Sequence, residues 1–271
     1  MHAFEGRGAM TLPFVQKYPA AVAEQPMSEL FAECRRMAVR SSVFDWKAAR
    51  PWGRWVQRLA LRTDERIRNT YFPSHDNPKL YLGCGKHRLP GWLNTDYYPR
   101  VPAAKDVLHL DASRRFPFDD GVFSHVYSEH MIEHLVLEHG IIMLMESFRV
   151  LRSGGRLRIG TPSFEFLVRL YETPSEDLHK RYIDYETGNS DQPPEFSRLI
   201  VVNKFVRAWG HLFIYDEELL ATLMTQVGFA DIRLCQINES DDPVMRNLAN
   251  VGRLPAGLLQ LATFTLEGRK P

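Results

Sequence analysis

From Lys79 onward, short apolar runs alternate with longer amphipathic stretches. The first run, Leu80 to Leu82, stops at Gly83-Cys84-Gly85, and its length and glycine boundary predict a buried strand rather than a helix. Three more strands are predicted over Trp92 to Thr95, Val107 to Leu110 and Val122 to Tyr127, the last following the turn Phe118-Asp119-Asp120-Gly121. From about Ile132 to Leu151 the period changes. Ile141, Leu144, Met145, Phe148 and Leu151 recur at three- and four-residue steps, as along one face of a helix. Ser153-Gly154-Gly155 ends that helix, and Arg156 to Gly160 reads as a fifth strand. Asp216 to Val227 repeats the helical spacing and halts at Gly228. Alternation of this kind is the signature of a parallel sheet covered on both faces.

The first 75 residues follow a different pattern. Residues 1–26 carry Gly6, Gly8, Pro13, Pro19 and Pro26 with little periodicity and read as a loose arm. A helix is predicted from Ser28, with Leu30, Phe31, Cys34, Met37 and Ala38 at helical spacing. A second is predicted from Pro51 towards Arg68, with Trp52, Trp55, Val56 and Leu59 apolar and Arg54, Arg58, Arg62 and Arg66 at four-residue intervals. The expected division is therefore 1–75 as an amino-terminal arm and basic helical extension, and 76–271 as the main domain.

Bulk composition, at 44% hydrophobic and 25% charged, is that of an ordinary soluble domain, but charge is unevenly placed. Arg35 to Arg68 holds ten Lys/Arg against three Asp/Glu, a local +7 on a chain whose net charge is +1, so the remainder is mildly acidic. The Arg-rich helix suits an anionic membrane surface or an acidic acceptor; as a solvated basic face with its tryptophans on the core it needs no partner. A mildly acidic body argues against nucleic acid, which an RNA acceptor could meet only through that helix. No apolar run approaches the roughly 20 residues of a membrane-spanning helix, and no signal-peptide h-region is visible. The three cysteines, Cys34, Cys84 and Cys235, are widely spaced, which points to reduced thiols and a cytoplasmic location.

In an open parallel sheet, ligands bind outside the carboxyl ends of the strands. Gly83, Asp96, Asp111 and Ser128-Glu129 all fall at such ends, so four separate segments converge on one crevice. A carboxylate beyond the second strand accepts both hydroxyls of a ribose; one beyond the third can take an adenine amino group, with the next backbone N–H reading the ring. Asp96 and Asp111-Ala112 suit these tasks, although either aspartate can instead cap a turn. A dinucleotide fingerprint is incomplete, because Arg88 stands where its third glycine belongs, and nothing matches GxxxxGK[ST]. An adenosine ligand without a phosphate fits better.

Tyr81-Leu82-Gly83-Cys84-Gly85, Leu110-Asp111-Ala112, Phe118-Asp119-Asp120, Ser128 to Leu135 and Arg149 to Gly155 together resemble the successive motifs of class I S-adenosylmethionine-dependent methyltransferases, and of the type-11 group among them. The resemblance runs over roughly Lys79 to Lys270. It implies a Rossmann-like doubly wound α/β sheet, mostly parallel, closed by an antiparallel pair over Ala230 to Ile237 and Leu259 to Leu266. It implies S-adenosyl-L-methionine as cofactor, with Gly83, Cys84 and Gly85 on its methionine part, Asp96 on ribose, Asp111 and Ala112 at adenine, and Ser128 and Glu129 near the methionine or sulfonium end. Asp96 follows Gly85 closely, so the helix between the first two strands must be short.

The activity so implied moves a methyl group to an oxygen or nitrogen of a small molecule, sugar or lipid-linked metabolite. The insertion at about 164–215 is the natural acceptor lid: it holds Phe164, Phe166, Tyr171, Tyr182, Tyr185, Phe196, Phe205, Trp209, Phe213 and Tyr215 around a loop at 188–194. These aromatics can wall an acceptor pocket or form the helices' own core. His211 and His130 are the candidate bases, while His134 reads as a structural histidine, and no metal ligand is assigned. Two rivals stand beside this. One is a non-catalytic binder of the same nucleoside. The other is a zinc protease, because His130 to His134 formally matches HxxEH, which requires two histidines a turn apart on a helix.

Overall fold

The computed structural model describes residues 27–40, 65–97, 106–172, 177–188 and 194–271. The amino-terminal arm, most of the expected Arg-rich helix with its tryptophans, the loop at 189–193 and the Phe196 side chain lie outside the described residues. Among the described residues seven strands form one sheet in the order β3-β2-β1-β4-β5-β7-β6. They are β1 (Lys79–Leu82), β2 (Leu93–Asp96), β3 (Leu108–His109), β4 (Phe123–Glu129), β5 (Leu151–Pro162), β6 (Ala230–Cys235) and β7 (Thr263–Arg269). The pairs from β3 across to β5 are parallel, and β7 runs antiparallel to both β5 and β6. The expected Rossmann-like sheet with its reversed closing strand is present. Because the chain walks outward from β1 to β3 and then returns beside β1 as β4, the strand order reverses at the β1/β4 seam, where the carboxyl ends open a crevice.

The helices are α1 (Met27–Arg40), α2 (65–71), α3 (Leu137–Val150), α4 (Phe164–Glu172), α5 (Asp177–Thr187), α6 (Pro194–Arg207), α7 (Glu217–Val227) and α8 (Leu258–Ala262). The apolar stripe foreseen on α3 is buried: Ile141, Ile142, Met143 and Leu144 have almost no exposed surface. α1 packs against α3 through Phe31 and Cys34, so this part of the extension joins the main core. α7 is capped at its start by Asp216, whose side chain accepts the Leu219 N–H at 2.7 Å, and at its end by Gly228 in the left-handed region. Arg149, from the Arg149 to Gly155 motif, ion-pairs with buried Glu146 and donates to the Phe116 and Phe118 carbonyls, fastening the turn before β4.

Several boundaries differ from the expectation. The helix read from Ile132 is interrupted: Ile132–His134 is a single 3-10 turn, and α3 begins only at Leu137. Ser153-Gly154-Gly155 sits inside β5, at an irregularity in its pairing with β4, rather than capping the helix. No helix intervenes between β1 and β2. Pro90 and Gly91 turn the chain, and the Asn94 side chain ties that turn by bonding the backbone of Leu89 and Trp92. Lastly, Leu259 belongs to α8, and β7 starts at Thr263.

A second, smaller core lies outside the sheet. Phe166, Leu167, Leu170, Tyr182, Ile183, Val201 and Phe205 pack with Leu258 and Ala262, joining α4, α5, α6 and α8. Among the described residues no helix is long and apolar enough to cross a membrane.

Candidate active site

Two cavities meet at the carboxyl ends of β1 and β4. The first, about 740 Å³, opens beyond β1, β2 and β3 and is lined by Gly83, Gly85, Asp96, Tyr97, Asp111 and Ala112. β1 delivers the chain to Gly83 at φ +67°, where a β-carbon would lie 2.3 Å from Met131 Cγ; only glycine fits this backbone and this approach. At Gly85 (φ +55°) a β-carbon would meet nothing within 4 Å, so the loop offers bare backbone to open space. Two bonds hold the loop against β2: Cys84 N–H donates to the Thr95 carbonyl at 2.9 Å, and Gly85 N–H donates to Asp96 Oδ2 at 2.8 Å. The acid at the end of β2 thus braces the glycine loop while facing the cavity. Beyond β3, Asp111 accepts from Ser113 N–H at 3.0 Å and pairs with Arg114 at 2.9 Å, so it caps a turn as well as lining the cavity.

Cys84, Ser128 and Glu129 do not line this cavity. The Cys84 side chain is buried with Tyr81, Leu89, Trp92 and Tyr127, and burial pushes its thiol up to about 12. Ser128 is fully buried within β4, and its hydroxyl finds no partner among the described residues. Glu129 is covered by the segment after β6, where its carboxylate accepts the Asn250 N–H at 3.2 Å.

The second cavity, about 270 Å³, lies between the end of β4, β7 and the small core, and His130, His134 and Trp209 line both spaces. His130 follows β4 directly with φ +48°, a conformation that costs a non-glycine residue about 1–2 kcal/mol and concentrates at functional positions. Its N–H donates to the Gly160 carbonyl at 2.9 Å, which holds this backbone in place. Its Nδ1 lies 3.3 Å from Glu133 Oε1, and its Nε2 lies 3.0 Å from Thr263 Oγ1.

Glu133 is completely buried, and its Oε2 accepts from Thr161 Oγ1 at 3.1 Å. Burial alone would raise its carboxyl; His130 close beside it, with His134 behind, holds it below the usual carboxylate range. His134 Nδ1 lies 3.3 Å from the Gly210 carbonyl and His211 Nδ1 2.6 Å from the Phe205 carbonyl, and the two rings meet edge to face at 5.1 Å. Burial lowers His211 below its ordinary value despite that carbonyl, so the ring is neutral at neutral pH.

The 3-10 turn bears on the protease reading, because His130 and His134 do not share an α-helix face. Of the insertion's aromatics, Phe166, Tyr182 and Phe205 belong to the helices' own core, Phe213 and Tyr215 pack on the main core, and Tyr182, Tyr185, Phe205 and Trp209 also reach the second cavity. Met131, which lies across Gly83, and His134, which lines both cavities, were not assigned to the site from sequence. The HxxEH spacing was the available signal for His134; an apolar residue within a motif gives none.

Residues 80–159 match the family model described as a methyltransferase domain. This part of the chain carries a methyltransferase domain. Among solved structures, a SAM-dependent methyltransferase from Thermotoga maritima, described as a possible histamine N-methyltransferase, is 18% identical with a TM-score of 0.45; the match covers 81% of this chain and 94% of that one. A SAM-dependent methyltransferase from Archaeoglobus fulgidus is 16% identical with a TM-score of 0.41, covering 78% and 94%. Phosphoethanolamine N-methyltransferase 2 of Haemonchus contortus, solved with S-adenosyl-L-methionine, is 13% identical with a TM-score of 0.38, covering 78% and 52%. No curated protein matches the chain.

The methyltransferase takes S-adenosylmethionine as its cofactor, and the first cavity fits it. Bare backbone at Gly83 and Gly85, with carboxylates at the ends of β2 and β3, form one concave surface for a nucleoside carrying an amino-acid tail.

Proposed function

We propose that this methyltransferase modifies an oxygen or nitrogen of a small-molecule acceptor, a sugar or lipid headgroup included, seated in the second cavity. The observation that carries the reading is the sharing of His130, His134 and Trp209 between the two cavities, which makes this the point where donor and acceptor would touch. A space of about 270 Å³ suits a metabolite or the reactive end of a larger molecule, not a folded macromolecule. Tyr185 and Trp209 offer flat faces to a ring, and Glu186 and Arg253 offer charge of both signs. Within the cofactor cavity, Gly83 and Gly85 would receive the methionine part, Asp96 the ribose, and Asp111 with Ala112 the adenine.

Bound S-adenosylmethionine supplies a methyl group already activated on a sulfonium, so the protein's task is alignment and, for a protonated acceptor, removal of a proton. His130 suits the second task. With Nδ1 facing Glu133 at 3.3 Å, its Nε2 is directed at Thr263 and the acceptor space. An acceptor hydroxyl that replaces the Thr263 contact would be bonded to a base that lies beside a buried carboxylate. His211, its Nδ1 engaged by the Phe205 carbonyl, presents Nε2 to the same space as a second proton acceptor. The test pairs calorimetry with S-adenosylmethionine and its demethylated product against transfer of labelled methyl to fractionated small molecules. Binding with label recovered in a low-mass fraction is expected. Label recovered only in RNA or protein would overturn the acceptor class.

A further inference from the structure

Glu133, His134 and His211 are brought together more closely than proton removal by His130 requires. Each offers one ligand atom, and the three atoms lie within 4.8 Å of one another, although His211 is 77 positions beyond His134 in sequence. We propose that Glu133, His134 and His211 hold a divalent transition-metal ion of the zinc class at the acceptor end of the second cavity.

Orientation of the imidazoles supports this. Each ring spends Nδ1 on a backbone carbonyl, His134 on Gly210 and His211 on Phe205, which leaves Nε2 as the available ligand atom. A carbonyl behind a ligating histidine fixes the tautomer and makes the metal-facing nitrogen more basic. The carboxylate supplies an independent observation. Glu133 has no exposed surface, and its Oε1 makes no well-directed hydrogen bond among the described residues, with His130 Nδ1 at 3.3 Å alongside it. A buried carboxylate oxygen left in that state favours a cation. Turn geometry aligns the set: Glu133 and His134 are adjacent in the 3-10 turn after β4, and the Glu133 carbonyl accepts the N–H groups of Leu212 and Phe213, which pins His211 beside them.

Two imidazoles and one carboxylate match the ligand preference of zinc; calcium and magnesium require oxygen ligands. Three protein ligands leave a coordination position open towards the acceptor space. Resting on the methyl-transfer reading, the proposal narrows the acceptor to one whose nucleophilic oxygen or nitrogen can ligate the cation, which lowers that group's pKa and orients its lone pair. His211 is then a ligand, and His130 alone takes the proton.

The test uses the full chain, Zn²⁺ as probe, and S-adenosylmethionine calorimetry on the same samples. After equilibration with Zn²⁺ and dialysis, atomic emission is expected to find about one zinc per wild-type chain. His134→Ala, His211→Ala and Glu133→Gln should each weaken zinc at least tenfold while S-adenosylmethionine still binds, which shows the variants fold. Co²⁺ in place of zinc should give the visible absorption of a low-symmetry site in wild type and lose it in His211→Ala. Cofactor binding without zinc binding, or zinc retained unchanged by the His134/His211 double variant, would overturn the cation site and leave methyl transfer standing. Zinc bound without any affinity for S-adenosylmethionine would overturn the methyl-transfer reading alone.

Discussion

Around the cofactor cavity the groups of interest stand at the carboxyl ends of strands: Gly83 after β1, Asp96 closing β2, Asp111 after β3. Their positions are set by parallel pairing, and the loop and acid brace each other through the Gly85–Asp96 hydrogen bond. The second cavity is assembled in another way. Its wall takes Tyr182 and Tyr185 from α5, Phe205 from α6, Trp209 and His211 from the turn after it, Arg253 from the stretch before α8, and Thr263 from β7. Ladder hydrogen bonds fix the first surface. Packing in a core of its own fixes Tyr182, Phe205 and Ala262 of the second. Away from the shared His130, His134 and Trp209, the wall of the second cavity should tolerate change without disturbing the rim of the first, and backbone changes at that rim should spare the wall.

Three perturbations test that separation, the largest first. His130→Gln keeps a donor for Glu133 but has no basic nitrogen; turnover should fall about 10²–10⁴-fold while calorimetry shows unchanged affinity for S-adenosylmethionine. Equal loss of affinity would mean that His130 serves the cofactor side. Gly83→Val forces a β-branched residue to φ +67° against Met131, and cofactor affinity should drop roughly 100-fold, equivalent to about 3 kcal/mol. Hydrogen exchange in α4 to α6 should stay at wild-type level in that variant, and loosening there would refute the independence of the two regions.

The third perturbation is acid. Burial holds His211 and His125 below their ordinary value of 6.5, although Asp242, 3.0 Å from His125 Nε2, pulls the latter back up. The unfolded chain therefore takes up protons near pH 6.5 that the folded chain refuses. Stability is full above that value and declines as pH falls through and below it. The urea midpoint should be lower at about pH 5.5 than at about pH 7.5, with a smaller difference in the His125→Gln/His211→Gln double variant. Identical differences in both proteins would exclude these imidazoles as the cause.

The same contrast explains what could be read from the chain. The sheet was legible because strands that end in glycine or aspartate carry their own punctuation, and Asp96 and Asp111 needed only that order to be placed on one rim. Cys84, Ser128 and Glu129 occupy motif positions, yet a period of two decides which way each side chain points, and neighbouring segments such as that holding Asn250 decide what covers it. The break at Ile132–His134 was hidden because Ile132, Leu135 and Val136 continue an apolar pattern; the backbone leaves it at His130, whose positive φ no propensity anticipates. The meeting of Glu133, His134 and His211 depends on a helical hairpin folding back on the strand ends, which no local spacing encodes.

Placing β7 between β5 and β6 leaves the sheet with β3 and β6 as its outermost members. β3 is two residues long, too short to recruit a foreign strand. β6 is kinked by an irregular register at Asp231, which sits at φ +52°, and its Arg233 and Asp231 are tied in ion pairs to Asp241 and Arg269. Among the described residues neither margin offers a flat, unoccupied row of amides, so the fold discourages sheet-to-sheet aggregation.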